Sequence, residues 1–276
     1  MFKLANLAIS IGCFFIVLRW QTSKVPLLVV LYLLGCDLVL AANTMLLGQV
    51  TIIQLGAAIL IISALKQNRP FVAGLALPLI LIKPHLVLFF LFAAFRRGGR
   101  KMLFAGILST LFIVLIAFLT RPSWITDMLT EIIRGQRHST MEWNKFLTVS
   151  GLFSLSPWVN IVLWLLFLPF LITLDNRFRS VPNNIWLPIA LALSLATTPY
   201  AFAYDLPLLI PALVWLCFPW SRFSFIAIIS VTLISIFAGF SGIAYIAVIL
   251  IAIFSIRRLI IQKPVEVNET ISPLTP

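Results

Sequence analysis

The charged residues of this chain fall in short gaps between long apolar runs, and that alternation limits the fold more than any motif does. The runs cover residues 4–18, 25–42, 47–65, 71–95, 102–120, 157–174, 185–198, 206–220, 223–240 and 243–256. Hydrophobic residues make up 62% of the chain and charged ones 10%, against about 25% charged in a soluble domain. A hydrocarbon layer offers no water to backbone amides, so long apolar runs must satisfy their own hydrogen bonds as helices. The pattern predicts an all-α fold: a polytopic integral membrane helical bundle of about nine spans plus a re-entrant hairpin. Residues 1–256 form that bundle, with an outer loop at 121–156. The polar, Pro-containing stretch 257–276 reads as a flexible cytoplasmic tail.

The formal net charge is +12. On a soluble protein it would invite a nucleic-acid partner. Here the basic residues sit at the ends of apolar runs, where they set orientation and meet anionic lipid headgroups. Membrane lipid is therefore the expected partner and nucleic acid is not. Cys13, Cys36 and Cys217 all lie inside apolar runs. Their spacing matches neither a disulfide framework nor a zinc site, so they read as small buried hydrophobes. No Walker loop or metal-ligand pair appears, and no cleavable signal peptide with a small-residue cleavage site.

The run 71–95 decides the topology, because Lys83-Pro84 interrupts it near the middle. Proline removes a helix donor and disfavours helix at the residue before it. The segment is either one kinked span or a hairpin of two short helices. A hairpin puts fourteen of the 20 Lys and Arg on one side, five on the other and Lys83 within the membrane. A single kinked span splits them eleven to eight. The positive-inside rule favours the hairpin. It gathers Asn43 to Gln49, the loop 121–156 and Asp205 on the non-cytoplasmic face. The amino terminus then faces outward, as expected if upstream spans are missing.

Three places could carry chemistry. Gly48-Gln49 offers a pliable backbone and an amide suited to sugar hydroxyls, although a helix-start turn explains it as simply. Lys83-Pro84-His85 places an ammonium deep in an apolar run, where it must pair or line a watery cavity. Such an ammonium could hold a phosphate, or snorkel to a headgroup. His85 alone reads as packed or interfacial. Thr197-Thr198-Pro199-Tyr200 leads to Tyr204-Asp205, where an acid beside tyrosines could orient a hydroxyl or act as base. Asp37 is a further costly charge, read as structural, with a tertiary partner or a proton expected. In the outer loop, Ser123 before Ile125, Met128, Leu129, Ile132 and Ile133 predicts a capped amphipathic helix lying on the membrane, Trp124 in the interface. It is a plain connector, or a lid that brings Arg134 or Arg137 to a phosphate.

The stretch LGQVTIIQLGAAILIISALKQNRPFVAGLALPLILIKPHLVLFFLFAAFRRGGRK resembles the polytopic glycosyltransferases of the phosphatidylinositol-mannoside α-mannosyltransferase type, which use polyprenyl-phosphate sugars. The matching order is Gly-Gln opening a span, a basic turn, Ala73-Gly74, a lysine-proline interruption and a basic cluster. TTPYAFAYDLPLLIPAL is similar to the family's second signature, and Ser123-Trp124 with Ser150-Gly151-Leu152 stand where its middle loop does. The resemblance covers about Asn6 to Leu216. It implies a glycosyltransferase C-type fold and inverting transfer of a hexose, often mannose, from a polyprenyl phosphate to a lipid or glycan acceptor. The reaction would run at the outer face of the plasma membrane, with no cofactor beyond the donor substrate. One departure stands out. Such enzymes are expected to carry a catalytic aspartate in the first outer loop, and the first acid here is Asp37, within a span. The chain then reads as N-terminally truncated: a fragment, or an inactive relative.

The site expected on these grounds is lined by Asn43, Gln49, Lys83, His85, Arg134, Arg137, Tyr200 and Tyr204 as substrate-binding residues. Lys83 faces the donor phosphate, and Asp205 is the candidate catalytic residue. No metal is expected. A transporter or flippase of lipid-linked sugars, and a non-catalytic membrane subunit, remain the alternatives, since midplane charge and broken helices suit transporters as well.

Overall fold

The computed structural model describes residues 2–21, 27–46, 50–127, 129–130, 157–198, 201, 203–217 and 241–266. Among them all regular structure is helical and no strand occurs. Helix α1 is Phe2–Leu18, α2 Leu27–Leu46 and α3 Thr51–Lys66. Two short helices follow, α4 Pro70–Leu75 and α5 Leu77–Ile80, then a 3-10 turn at Pro84–Leu86 and the long α6, Leu88–Thr120. Beyond residue 156 come α7 Pro157–Arg177 and α8 Asn183–Thr197. A 3-10 segment Ala203–Leu209 runs into α9 Ile210–Cys217, and α10 is Ser241–Glu266.

The stretch Pro70 to Gly98 folds back on itself, and local chemistry explains each bend. Asn68 ends α3 in the left-handed region at φ +54, which asparagine tolerates better than most residues. The amides of Asn68 and Arg69 return to the carbonyls of Leu65 and Ala64 at 3.2 and 2.8 Å, closing a Schellman-type cap. Pro70 then opens α4, where its missing N–H costs nothing. Pro84 breaks the helix a second time. From Leu88 the chain runs back along α8 toward the end where it began. There Arg97 bonds Asp175 and the Phe178 carbonyl, and Asn183 donates to the carbonyl of Leu65.

Helix α6 is two rods joined at Gly99, whose φ of +60 and ψ of −157 suit only glycine. The second rod starts beside α4. Gly74 meets the Met102 backbone and the Ala105 methyl so closely that no side chain fits between them. Past that crossing, large apolar side chains point outward: Leu108, Leu111, Phe112, Leu115, Phe118 and Leu119 are all exposed. Among the described residues, Leu88–Thr120 is the one helix long and apolar enough to cross a membrane by length and hydropathy. The core lies elsewhere, between α3, the hairpin, α8 and α9. Its largest fully buried side chain is Trp186, whose ring meets Phe178 at 5.1 Å and Phe89 at 6.2 Å.

Two expectations change. The tail expected to be flexible from residue 257 begins as helix: α10 continues through Arg257 and Arg258 to Glu266. Arg258 is buried, donates to the carbonyls of Trp215 and Leu216 at 2.6 and 2.8 Å, and lies 4.8 Å from the Trp215 ring centre. It thus caps the last carbonyls of α9, and the residue that looked like the start of a loose tail closes a helix end. After α6, helix begins again at Trp124 as expected, but Ser123 donates to the Asp127 carboxylate at 2.9 Å rather than capping a backbone amide. The buried Asp37 does find a tertiary partner, the Ser10 hydroxyl at 2.9 Å.

Candidate functional site

The tip of the hairpin brings three polar side chains together where α3 begins. Lys83 Nζ lies 2.8 Å from Asp205 Oδ1. The Thr51 hydroxyl donates to the same oxygen at 2.8 Å and stands 3.4 Å from the ammonium. Asp205 is 1% exposed and the Lys83 side chain 18%, so the carboxylate is enclosed while the ammonium keeps an opening. Thr51 is the first residue of α3, and the carboxylate therefore sits at the positive end of that helix. Both partners contribute, because neither charge would be stable alone in these surroundings.

Three further side chains hold the tip in place by satisfying backbone groups that the proline break frees. In an unbroken helix the Ile80 carbonyl would accept from the amide of residue 84, but residue 84 is proline and has none. The Gln54 amide donates to that carbonyl instead, at 2.9 Å, and reaches the Lys83 carbonyl at 3.3 Å. The Thr198 hydroxyl donates to the His85 carbonyl at 3.0 Å. The amide of Phe90, in the first turn of α6 where no intrahelical partner exists, donates to Ser194 Oγ at 2.7 Å. A proline-broken helix inside an apolar bundle thus stays hydrogen-bonded because α3 and α8 supply polar side chains at the matching level.

Of the expected site residues, the structure brings Lys83 and Asp205 into direct contact. It places His85 half-buried beside them, within electrostatic reach of both. The side chains of Asn43, Gln49, Arg134, Arg137, Tyr200 and Tyr204 lie outside the described residues. Thr51, Gln54 and Ser194 escaped identification as site residues, and Thr198 was read only as part of the stretch leading to Asp205. Gln54 had a readable signal, since a proline in mid-run implies an orphaned carbonyl and a nearby amide to serve it. Among the described residues no group of His, Cys, Asp or Glu could hold a metal ion.

A second polar cluster closes the opposite end of the bundle. Asp175 is fully buried and accepts from Arg96 at 2.9 Å, Arg97 at 2.8 Å and the Trp186 indole at 2.7 Å. Arg96 also donates to Asn176 at 2.6 Å. This network ties the returning helix of the hairpin to α7 and α8. Comparison with family models, characterised proteins and solved structures returned no match.

Proposed function

We propose that this chain is a multi-span plasma-membrane protein of the hexosyltransferase type that handles a polyprenyl-phosphate sugar at its non-cytoplasmic face. The observation that carries the proposal is the Lys83–Asp205–Thr51 cluster at the tip of a proline-broken hairpin. An ammonium in that setting matches the phosphate of a lipid-linked donor as a point charge. Large apolar side chains exposed on the second rod of α6 and on α7 support the membrane setting. About nine spans follow from the apolar runs, and the outward orientation of the tip from the distribution of Lys and Arg.

In this proposal Asp205 holds Lys83 in the empty state, and the donor phosphate takes the ammonium over. The acceptor hydroxyl attacks the anomeric carbon and its proton passes to the released Asp205 carboxylate. The bond from that carbon to the phosphate oxygen breaks with inversion. The polyprenyl phosphate leaves with the electron pair, its charge balanced by Lys83. Binding of a short-chain polyprenyl-phosphate mannose to detergent-purified protein tests the phosphate role. Lys83→Ala should weaken binding at least tenfold, and unchanged affinity in a folded variant refutes it. The broken helix with a buried ion pair also fits a flippase of the same lipid. Proteoliposomes separate the two: free polyprenyl phosphate accumulating with an acceptor marks transfer, and intact donor crossing the bilayer marks flipping.

A further inference from the structure

The end of the bundle opposite the Lys83 tip carries more positive charge than the fold uses. Arg96 and Arg97 are spent on Asp175. Around them Lys66, Arg69, Arg100, Lys101 and Arg179 are exposed, and Arg177 lies 6.0 Å from the Phe178 ring centre. Their common location follows from contacts: Lys66 adjoins Leu65, which accepts from Asn183, and Arg177 and Arg179 flank Phe178, which accepts from Arg97. Asp175 is the one carboxylate whose described side chain lies there, and it is saturated.

Exposed apolar surface begins within two or three residues of these charges on adjacent helices. Phe71 and Leu75 follow Arg69 on α4, and Leu103 and Phe104 follow Lys101 on α6. An apolar groove of about 230 Å³ opens at the same place, lined by Leu77, Phe95, Leu103, Gly106 and Ile107. Phe95 directly precedes the Arg96–Lys101 turn and Leu103 lies two residues beyond it, so the groove runs away from that turn. A basic collar that continues into an apolar groove has the shape and polarity of a phospholipid. A soluble acidic partner would leave the groove empty.

We infer that this end is a binding site for an anionic phospholipid, with its phosphate held by Arg69, Arg100 and Lys101 and one acyl chain in the groove. The inference rests on the membrane setting and is independent of the donor chemistry at Lys83.

The test uses the full chain purified in a neutral detergent, with bound lipid counted by native mass spectrometry. Dioleoyl phosphatidylglycerol is compared with dioleoyl phosphatidylcholine and with inorganic phosphate alone. Phosphatidylglycerol should bind at least tenfold more tightly than phosphatidylcholine. Each basic side chain near a membrane surface contributes about fivefold, so Arg100→Gln with Lys101→Gln should lower phosphatidylglycerol affinity roughly 25-fold. These side chains make no described ion pair, so the lipid-free melting temperature should stay put. Ile107→Glu, which places a charge in the groove, should lower affinity while leaving the basic collar intact. Equal binding of the two lipids, or an undiminished preference in the double variant, overturns the inference. Inorganic phosphate that displaces the lipid completely at millimolar concentration also overturns it, since the collar would then be a bare anion site. Binding of polyprenyl-phosphate mannose should be unchanged in the double variant, and its loss there would count against the independence of the two sites.

Discussion

Gln54→Met removes the amide that serves the Ile80 carbonyl while keeping the length and volume of the side chain. The carbonyl is then buried with no donor, because the amide that would ordinarily serve it belongs to Pro84 and does not exist. A buried polar group left without a partner costs about 1–3 kcal/mol. The Lys83 carbonyl loses its 3.3 Å bond but keeps the Leu86 amide, and removing the buried, unpaired Gln54 Oε1 offsets part of the cost, which holds the expectation to the middle of that range. Gln54→Met should therefore destabilise the protein by about 2 kcal/mol in equilibrium unfolding from detergent. Adding Pro84→Ala restores a backbone N–H that can reach Ile80 once residues 81–83 wind into helix. It should recover about 1 kcal/mol of the loss, while Pro84→Ala alone should gain much less. A Gln54→Met variant as stable as wild type refutes the account, and so does a double variant whose loss equals the sum of the single ones.

Two further outcomes follow from geometry already described. Lys83→Met leaves the enclosed Asp205 carboxylate without its counter-charge, held only by neutral donors such as Thr51, and should cost about 3–5 kcal/mol, whereas Lys83→Met with Asp205→Leu should fall closer to wild type. Chemical denaturation of the three proteins checks this, and a double variant no better than the single one contradicts it. Gly74→Ala forces a methyl into the Met102 carbonyl and the Ala105 methyl and should destabilise by about 1–3 kcal/mol. Gly12→Ala has open space around it and should be neutral or stabilising by up to about 1 kcal/mol. The same denaturation experiment compares the two.

The helical class was legible because the apolar runs are long and bounded by charge, and the break at Lys83-Pro84 because proline has a fixed local effect. That Lys83 and Asp205 meet was legible in outline: each is a charge inside apolar sequence and must find something. The cross-helix partners of Thr51, Ser194 and Thr198 were not, since a neutral hydroxyl at a helix end, or within a helix where it can bond its own preceding turn, carries no charge that forces a distant partner. Nothing local distinguishes one that reaches across to another helix. Ser194 does both, accepting from Phe90 and donating to the Ala190 carbonyl at 3.0 Å. The arginines past residue 256 misled for a related reason. A charged pair at the end of an apolar run looks like the start of a solvated tail, and only the facing end of α9 shows that one of them is a cap.

Gly99 divides a short run of like residues into two populations with opposite duties. By reversing the chain in mid-run it turns Arg96 and Arg97 inward, where they act as fasteners, and leaves Arg100 and Lys101 outside, where they are available to whatever surrounds the protein. Neutralising neighbours only three or four positions apart should therefore give unlike phenotypes, a loosened molecule in one case and an intact molecule with altered surroundings in the other. A side chain at the hinge itself would blur that division, since the backbone there is one that only glycine adopts without strain.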